Sequence, residues 1–268
     1  MLPTIAEAKS IAEAFVDARR KAAALTAYPG TEPVDLQTAL AIQDAAIPLF
    51  GEEIAGWKVG RINSPWLEKV GVNRLPGPIF AKNVQRAKAG QQSVGRIFEG
   101  GFGAAEAEFV FRLRRGPEAG VKTLSLAEAA DLVDAVFIGI EVASSPFAGI
   151  NIRGPLVTIS DFGNNNGLIL GAEIPDWRDS QLADWNVEAA VDGEAVGQGA
   201  ASVFPDGPLG SVRYLIENLL ARDIAIKPGL LISTGAITGV HEITDGQVFE
   251  AKFGDFDTIN CKIAFATV

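Results

Sequence analysis

Cysteine and histidine are almost absent from this chain. Among its 268 residues, Cys261 is the single cysteine and His241 the single histidine. One cysteine excludes an intrachain disulfide, a cysteine-rich zinc site and the disulfide framework of a small secreted protein. A Ser-His-Asp triad or a histidine-rich metal site would have to be built around His241. Its turn-like surroundings favour a solvated loop residue, with the edge of a substrate site as the alternative.

Basic residues and long apolar runs are also scarce. Lysine and arginine number 23 against 33 aspartates and glutamates, which gives a formal charge of −10, and no basic cluster interrupts this balance. Nucleic acid is therefore a poor partner. The N-terminus mixes acids and bases in an amphipathic pattern, and no apolar run reaches the roughly 18 residues of a membrane span, so we expect neither a signal peptide nor a membrane span. The cytoplasm is the expected compartment.

The chain begins with helical patterns and continues with β-like ones. A capping box at Thr4-x-x-Glu7 opens a predicted helix from about Ile5 to Ala24, and Asp35 caps a second one that ends near Gly51. From residue 54 onwards, short β-like runs are separated by glycine and proline. We therefore predict an α+β protein, with a helical N-terminal segment at residues 1–52 and a main domain at residues 53–268.

Paired acids inside an apolar run are the most informative local feature. Glu106 and Glu108 stand two residues apart, which is the strand period, so both side chains lie on one face of the predicted strand. Carboxylates this close repel each other on a partly buried face unless a cation or a shared proton neutralises them, and a hard divalent ion suits oxygen ligands. The alternative is two solvated glutamates on the wet side of a half-exposed strand.

A third acid strengthens the metal interpretation. Glu141 lies within the apolar strand pattern of residues 136–143, where an acid is shielded and needs a partner. Three glutamates from two strands would form an oxygen ligand set that leaves further positions on a magnesium-like ion for water or substrate.

Other candidate residues each have a plain structural alternative. Lys58 stands among apolar residues between two glycines, either as a strand-end lysine reaching solvent or as a partly desolvated amine beside an anionic substrate. Asp161 is followed by three asparagines that could form a turn or line a site. Residues 233–236 could bind a carboxylate through hydroxyl and backbone N–H groups. We expect strand, polar turn and strand over residues 156–171, a loop over residues 71–80 and a long helix over residues 209–222.

The order of these segments resembles a known family. Gly56-Trp-Lys58-Val-Gly60, Glu106-x-Glu108, Glu141, Asp161, and Lys227-Pro-Gly229 before Ser233 follow one another as in the 2-keto-4-pentenoate hydratase and 4-oxalocrotonate decarboxylase group of the fumarylacetoacetate hydrolase superfamily. The resemblance covers nearly the whole chain and is carried by the order of the motifs, since no single motif is decisive.

This resemblance implies a fold, a metal and a site. The fold would be a mixed β-roll of the fumarylacetoacetate hydrolase C-terminal-domain type behind a helical N-terminal segment, in a homo-oligomer. Glu106, Glu108 and Glu141 match carboxylate ligands of Mg²⁺ or Mn²⁺, which bind a small 2-oxo or 2-hydroxy carboxylate substrate. Lys58 matches the active-site lysine, and Asp161 is a second catalytic candidate. The residues that match the substrate-binding edge are Ser233, Thr234, Gly235 and Ala236.

The reaction implied first is metal-dependent addition of water to a 2-hydroxy-2,4-dienoate in aromatic-compound catabolism. Decarboxylation of a 2-oxo-3-enedioate needs the same enolate chemistry and is the alternative. An acylpyruvate-type C–C hydrolase ranks lower, because His241 lies far from the expected His-Glu pair. The chain departs from the hydratase pattern in having no acid between Arg74 and Pro78, and in carrying Ser144-Ser-Pro where a Ser-Arg pair is usual. A non-catalytic carboxylate-binding subunit is therefore a further alternative.

Overall fold

The computed structural model describes residues 5–88 and 90–268 of the chain. Within these ranges no helix is long and apolar enough to cross a membrane. The helices are α1 (Ile5–Arg20), α2 (Leu36–Phe50), α3 (Trp66–Val70), α4 (Leu126–Asp131), α5 (Pro155–Ser160) and α6 (Gly207–Ala221). The strands are β1 (Ile54–Arg61), β2 (Arg74–Phe80), β3 (Val84–Arg86), β4 (Ser93–Ile97), β5 (Phe102–Leu113), β6 (Val133–Ser145), β7 (Asn165–Glu173), β8 (Val187–Val191), β9 (Glu194–Gly199), β10 (Leu231–Ser233), β11 (His241–Glu242), β12 (Val248–Phe253) and β13 (Asp257–Phe265).

The strands form two mixed sheets. The larger has the order β2-β1-β10-β5-β6-β7-β3, and β11 pairs with β5; the smaller has the order β4-β13-β12-β8-β9. Parallel pairs join β1 to β10, β3 to β7 and β4 to β13, while the other pairs are antiparallel. The α+β class predicted from the sequence is confirmed.

The main core lies between the two sheets, and β5 shows why it forms there. The β5 residues that face this core are Ala105, Ala107, Phe109, Phe111 and Leu113. The ring centres of Phe109 and of Phe253 on β12 lie 5.4 Å apart. Because successive strand residues point to opposite faces, the same alternation turns Glu106 and Glu108 away from this core. The opposite face of β5 is also covered, since Val110 packs in a second apolar cluster with Phe137.

The N-terminal helices pack against the strands. Asp35 caps α2 by accepting a hydrogen bond from the Thr38 amide, and Gly51, at φ +72°, ends it as expected. Helix α1 ends at Arg20, before the expected Ala24, because the chain turns through a positive φ at Ala22. Thr4 of the predicted capping box lies outside the described residues. A single apolar cluster joins both helices to the sheet, and its members include Ile11, Phe15, Ile42, Phe80, Phe102 and Phe147. The domain boundary after residue 52 stays a prediction.

Two local predictions were wrong. The expected loop at residues 71–80 contains strand β2, which tolerates Pro76 and Pro78 because it is an edge strand. The first strand expected in residues 156–171 is instead helix α5, which begins at Pro155. All six residues of α5 are buried, Thr158 and Ser160 included, so the helix has no exposed polar face and its sequence shows no helical period.

Replacement of Gly77 on β2 by alanine should destabilise the protein. A Cβ at this position would overlap the Phe162 carbonyl and lie 2.9 Å from the Gly163 Cα. The loop after α5 would have to move, at about 1–3 kcal/mol of unfolding free energy. Chemical denaturation measures this loss. Gly167→Ala is the matched control, because its nearest neighbour would be the Asn83 carbonyl at 3.4 Å, an ordinary contact. Equal losses in both variants would contradict the packing argument.

Candidate metal centre and active site

Three glutamates meet on the face of the large sheet that turns away from the main core. Glu106 on β5 is directly opposite Glu141 on β6 in the antiparallel register, and Glu108 is one pleat further along β5. Each offers a carboxylate oxygen, and these oxygens all lie within 4.8 Å of one another. The exposed fractions are 4% for Glu106 and 0% for the other two, so water does not screen their repulsion. The structure thus brings together the three acids that the sequence singled out.

In Glu108 and in Glu141, one carboxylate oxygen accepts hydrogen bonds and the other accepts none. Glu108 Oε2 accepts from the Ser233 hydroxyl (2.5 Å) and the Gly235 amide (2.9 Å), and Glu141 Oε1 accepts from the Asn165 amide group (3.0 Å). Glu108 Oε1 is buried without a hydrogen-bond donor in the described part of the chain. Glu141 Oε2 is also buried without a hydrogen bond, but it lies 3.2 Å from the Lys58 ammonium. A buried carboxylate oxygen without a donor is unfavourable unless a cation contacts it. The donor set therefore fits a hard divalent cation with oxygen ligands.

Burial and mutual repulsion disfavour the ionised form of this cluster. Burial raises the pKa of Glu106 above its ordinary value, and the charge of Glu141 adds to the effect. Burial also raises the pKa of Glu108, with further increases from Glu141 and Glu106. Lys58 opposes these shifts only in part. Without a cation, the fold therefore retains protons that ordinary glutamates would release.

Lys58 completes the charge arrangement from strand β1. Its Nζ lies 3.2 Å from Glu141 Oε2 and donates a hydrogen bond to Asn164 Oδ1 at 3.3 Å. Burial alone would lower the pKa of this amine, but the charges of Glu141, Glu106 and Glu108 outweigh burial and raise it. The ammonium form is therefore held beside the carboxylates, in a position to donate hydrogen bonds.

A cavity of about 360 Å³ opens beside the cluster, and Lys58 and Glu106 both line it. The cluster is therefore accessible from the cavity, whose size is at the small end of ligand pockets. The other lining residues are Gly60, Arg61, Ile62, Asn63, Trp66, Leu75, Asn151, Gly154, Pro155, Thr158, Asn164, Ala236, Gly239 and Val240.

Asp161 lies elsewhere than expected. It is 1% exposed, does not line the cavity, and forms a two-point ion pair with Arg19 of α1, at 2.6 and 3.0 Å. Arg19 also donates to the carbonyls of Ser144 and Asn165, at 3.1 Å each. Both groups are buried and tightly engaged, so this carboxylate braces the loop that carries Asn164 and Asn165.

Arg19 was not predicted as part of the site, although the sequence contained a signal for it. The buried face of α1 includes Ile11 and Phe15, and Arg19 continues that row at the spacing of one helical turn. A charged residue in this position needs a buried partner of opposite charge.

The segment predicted to bind substrate mostly holds the cluster instead. Ser233 and Gly235 donate to Glu108, and the Thr234 hydroxyl donates to the Phe109 carbonyl at 2.9 Å. Of this segment, Ala236 lines the cavity.

The two rare residues both lie off the cavity wall. His241 is half-buried on strand β11, with Nε2 3.0 Å from the Thr238 hydroxyl, and burial lowers its pKa. Cys261 is buried in β13, as expected for a core residue.

Comparison with solved structures identifies the fold. No protein-family model matches the chain, and no curated protein matches it significantly. Among solved structures, 4-oxalocrotonate decarboxylase from Pseudomonas putida G7, complexed with magnesium and adipate, is similar with a TM-score of 0.79 and 20% identity, over 97% of this chain and 98% of that chain. Fumarylpyruvate hydrolase from Pseudomonas aeruginosa, in complex with Mn²⁺ and pyruvate, is similar with a TM-score of 0.57 and 17% identity, over 78% and 89% of the two chains. The mixed β-roll expected from the resemblance to the fumarylacetoacetate hydrolase superfamily is thus confirmed as the fold of this chain.

Divalent cations should stabilise the protein more strongly as pH rises. The raised pKa values of Glu106 and Glu108 mean that the cation-free fold loses stability as pH increases above the ordinary glutamate value of 4.5, because the unfolded chain releases these protons more readily. A cation requires the ionised carboxylates, so its contribution grows over the same range. Melting temperatures with Mn²⁺ or with EDTA, between about pH 5 and about pH 8, test this. A cation-induced shift that does not change with pH, or that persists in Glu108→Gln, would contradict the assignment.

Loss of Arg19 should cost far more stability than loss of its neighbour Lys21. Arg19→Met leaves Asp161 buried and unpaired, and we expect a loss of about 3–5 kcal/mol. Lys21→Met removes an exposed pair with Asp17 and should cost at most about 1 kcal/mol. Denaturant titration compares the two, and Arg19→Met/Asp161→Asn should recover part of the loss. Equal effects of both single variants would show that the buried pair contributes little.

Proposed function

We propose that the chain is a metal-dependent enzyme of the fumarylacetoacetate hydrolase superfamily that acts on a small 2-oxo or 2-hydroxy carboxylate. The observation that carries the proposal is the buried cluster of Glu106, Glu108 and Glu141 beside a cavity, in which one Lys58 ammonium faces three carboxylates and Glu108 Oε1 has no donor. These residues would hold Mg²⁺ or Mn²⁺, the ions bound in the two similar structures. Such an ion supplies Lewis-acid stabilisation of negative charge that develops on the 2-oxo oxygen.

Lys58 is the chain's own proton donor in this proposal. Its ammonium lies on the cavity wall beside the carboxylates, so it can donate a hydrogen bond to the substrate oxyanion. A cation that neutralised the carboxylates would lower the raised pKa of this amine and so let it deliver a proton to the carbon that becomes electron-rich. Asn164 fixes the amine through its hydrogen bond. Asp161 has a structural role in this proposal, because its carboxylate is paired with Arg19.

Among the candidate reactions, decarboxylation of a 2-oxo-3-enedioate is the one that the residues lining the cavity support best. The bond to the leaving carboxylate breaks, carbon dioxide departs, and the electron pair passes through the conjugated chain to the 2-oxo oxygen until a proton restores the ketone. No general base is needed. In the described part of the chain, Glu106 is the one carboxylate on the cavity wall, and no imidazole lies there. Similarity to the decarboxylase over 97% of this chain agrees with this ranking.

Hydration of a 2-hydroxy-2,4-dienoate, which the sequence resemblance placed first, is the second candidate. It requires a group that orients water toward the far double-bond carbon, and Asn151 and Thr158 on the cavity wall offer such polar atoms. A C–C hydrolase lacks support, because His241 does not line the cavity. Homo-oligomerisation and a role in aromatic catabolism remain proposals from the same resemblance, and a cytoplasmic location remains a proposal from the single cysteine.

Activity assays separate these reactions. We expect magnesium-dependent consumption of 2-oxo-3-hexenedioate with release of one carbon dioxide per substrate, followed by ultraviolet absorbance and product NMR. EDTA and Glu106→Gln should abolish it, and Lys58→Met should lower kcat by about 10²–10⁴-fold. His241→Ala is the control that should retain activity.

The alternative outcomes are equally distinct. Consumption of 2-hydroxypenta-2,4-dienoate with incorporation of water, and none of the enedioate, would establish hydration instead. Binding of oxalate with turnover of neither substrate would favour a non-catalytic carboxylate-binding subunit. If chelation changed neither stability nor activity, the metal proposal itself would be wrong.

A further inference from the structure

Arg61 lines the cavity without an ion-pair partner among the described residues. It is the last residue of β1, three positions beyond Lys58, and both residues line the cavity with Glu106. Its guanidinium lies over the ring of Phe204, with the central carbon 4.6 Å from the ring centre. Stacking on the ring holds one face of the planar group and leaves the N–H groups at its edge available.

No acid within the described ranges pairs with Arg61, and no described residue accepts a hydrogen bond from its guanidinium. Arg74, directly opposite on β2, provides the contrast: its guanidinium donates to Ser211, Asn73 and the Pro205 carbonyl. Both arginines are thus close together, but only Arg74 has its donors satisfied by the protein.

The surrounding charges do not compensate Arg61 either. Asp206, the acid whose charge acts on the neighbouring Arg74, is paired with Arg213 at 2.5 Å. Lys58 is already matched by the glutamate cluster. Burial lowers the pKa of Arg61, and no neighbouring acid offsets this effect. Among the described residues, Arg61 is therefore the cavity-lining cation that still requires an anion.

We propose that Arg61 binds a second carboxylate of the substrate, so that the cavity selects 2-oxo acids with a carboxylate at each end. The inference rests on the proposed function, which places the first carboxylate and the 2-oxo group at the glutamate cluster. A carboxylate matches the two-pronged donor edge of a guanidinium, and a partly buried pair of this kind discriminates strongly against a neutral end group. The cavity volume of about 360 Å³ suits a short diacid.

Binding of non-reacting analogues tests this directly. Isothermal titration of the magnesium-loaded protein would compare 2-oxohexanedioate with 2-oxohexanoate, which has the same chain without the second carboxylate, and with oxalate, which reports on the glutamate cluster alone. We expect the wild type to bind the diacid about 10- to 100-fold more tightly than the monoacid. Arg61→Met should bring this ratio close to one and leave oxalate binding within about threefold, and Arg61→Lys should retain part of the preference.

Arg153→Met is the matched control for overall charge, because Arg153 is close in sequence to cavity residues but is exposed and paired with Glu32. This variant should keep the wild-type preference. A wild-type ratio near one, or a preference that Arg61→Met leaves unchanged, would overturn the inference while oxalate binding upheld the proposed function. Failure of all three compounds to bind would overturn the proposed function and this inference together.

Discussion

Repulsion among three carboxylates that water cannot reach is the constraint around which this structure is arranged. Glu106, Glu108 and Glu141 come from neighbouring strands, so the sheet itself brings their charges together. Ser233, Gly235 and Asn165 each donate to one oxygen, and Lys58 supplies one positive charge. Three carboxylates and one ammonium leave a net negative charge, which a divalent cation would neutralise.

The groups behind the cluster depend on contacts between distant parts of the chain. Arg19 reaches from α1 to Asp161, 142 positions away, and braces the loop whose asparagines contact Glu141 and Lys58. The chain lacks the Ser-Arg pair expected after Glu141, yet a guanidinium does contact the Ser144 carbonyl, because Arg19 provides it from the N-terminal helix. The helical segment is therefore a structural part of the site.

Sequence patterns predicted those features that depend on local periodicity. The spacing of Glu106 and Glu108 placed both on one face, and the apolar surroundings of Glu141 correctly indicated burial. Helix α5 was mistaken for a strand because a fully buried helix shows no amphipathic period. The partners of Asp161 and Ser233 depended on which distant group each side chain meets, and residue type alone does not determine that. Arg61 was overlooked because an unpaired charge is recognisable only once its surroundings are known.

The register of β5 on β6 links ion binding to the last stage of folding. Glu106 and Glu141 face each other only in the observed pairing, and a slip of one residue would turn the acids of one strand to the opposite face of the sheet. Misregistered sheets would thus lack the complete ligand set. A cation would bind only to chains with the correct strand register. Binding would therefore shift the equilibrium from misregistered chains toward correctly paired ones.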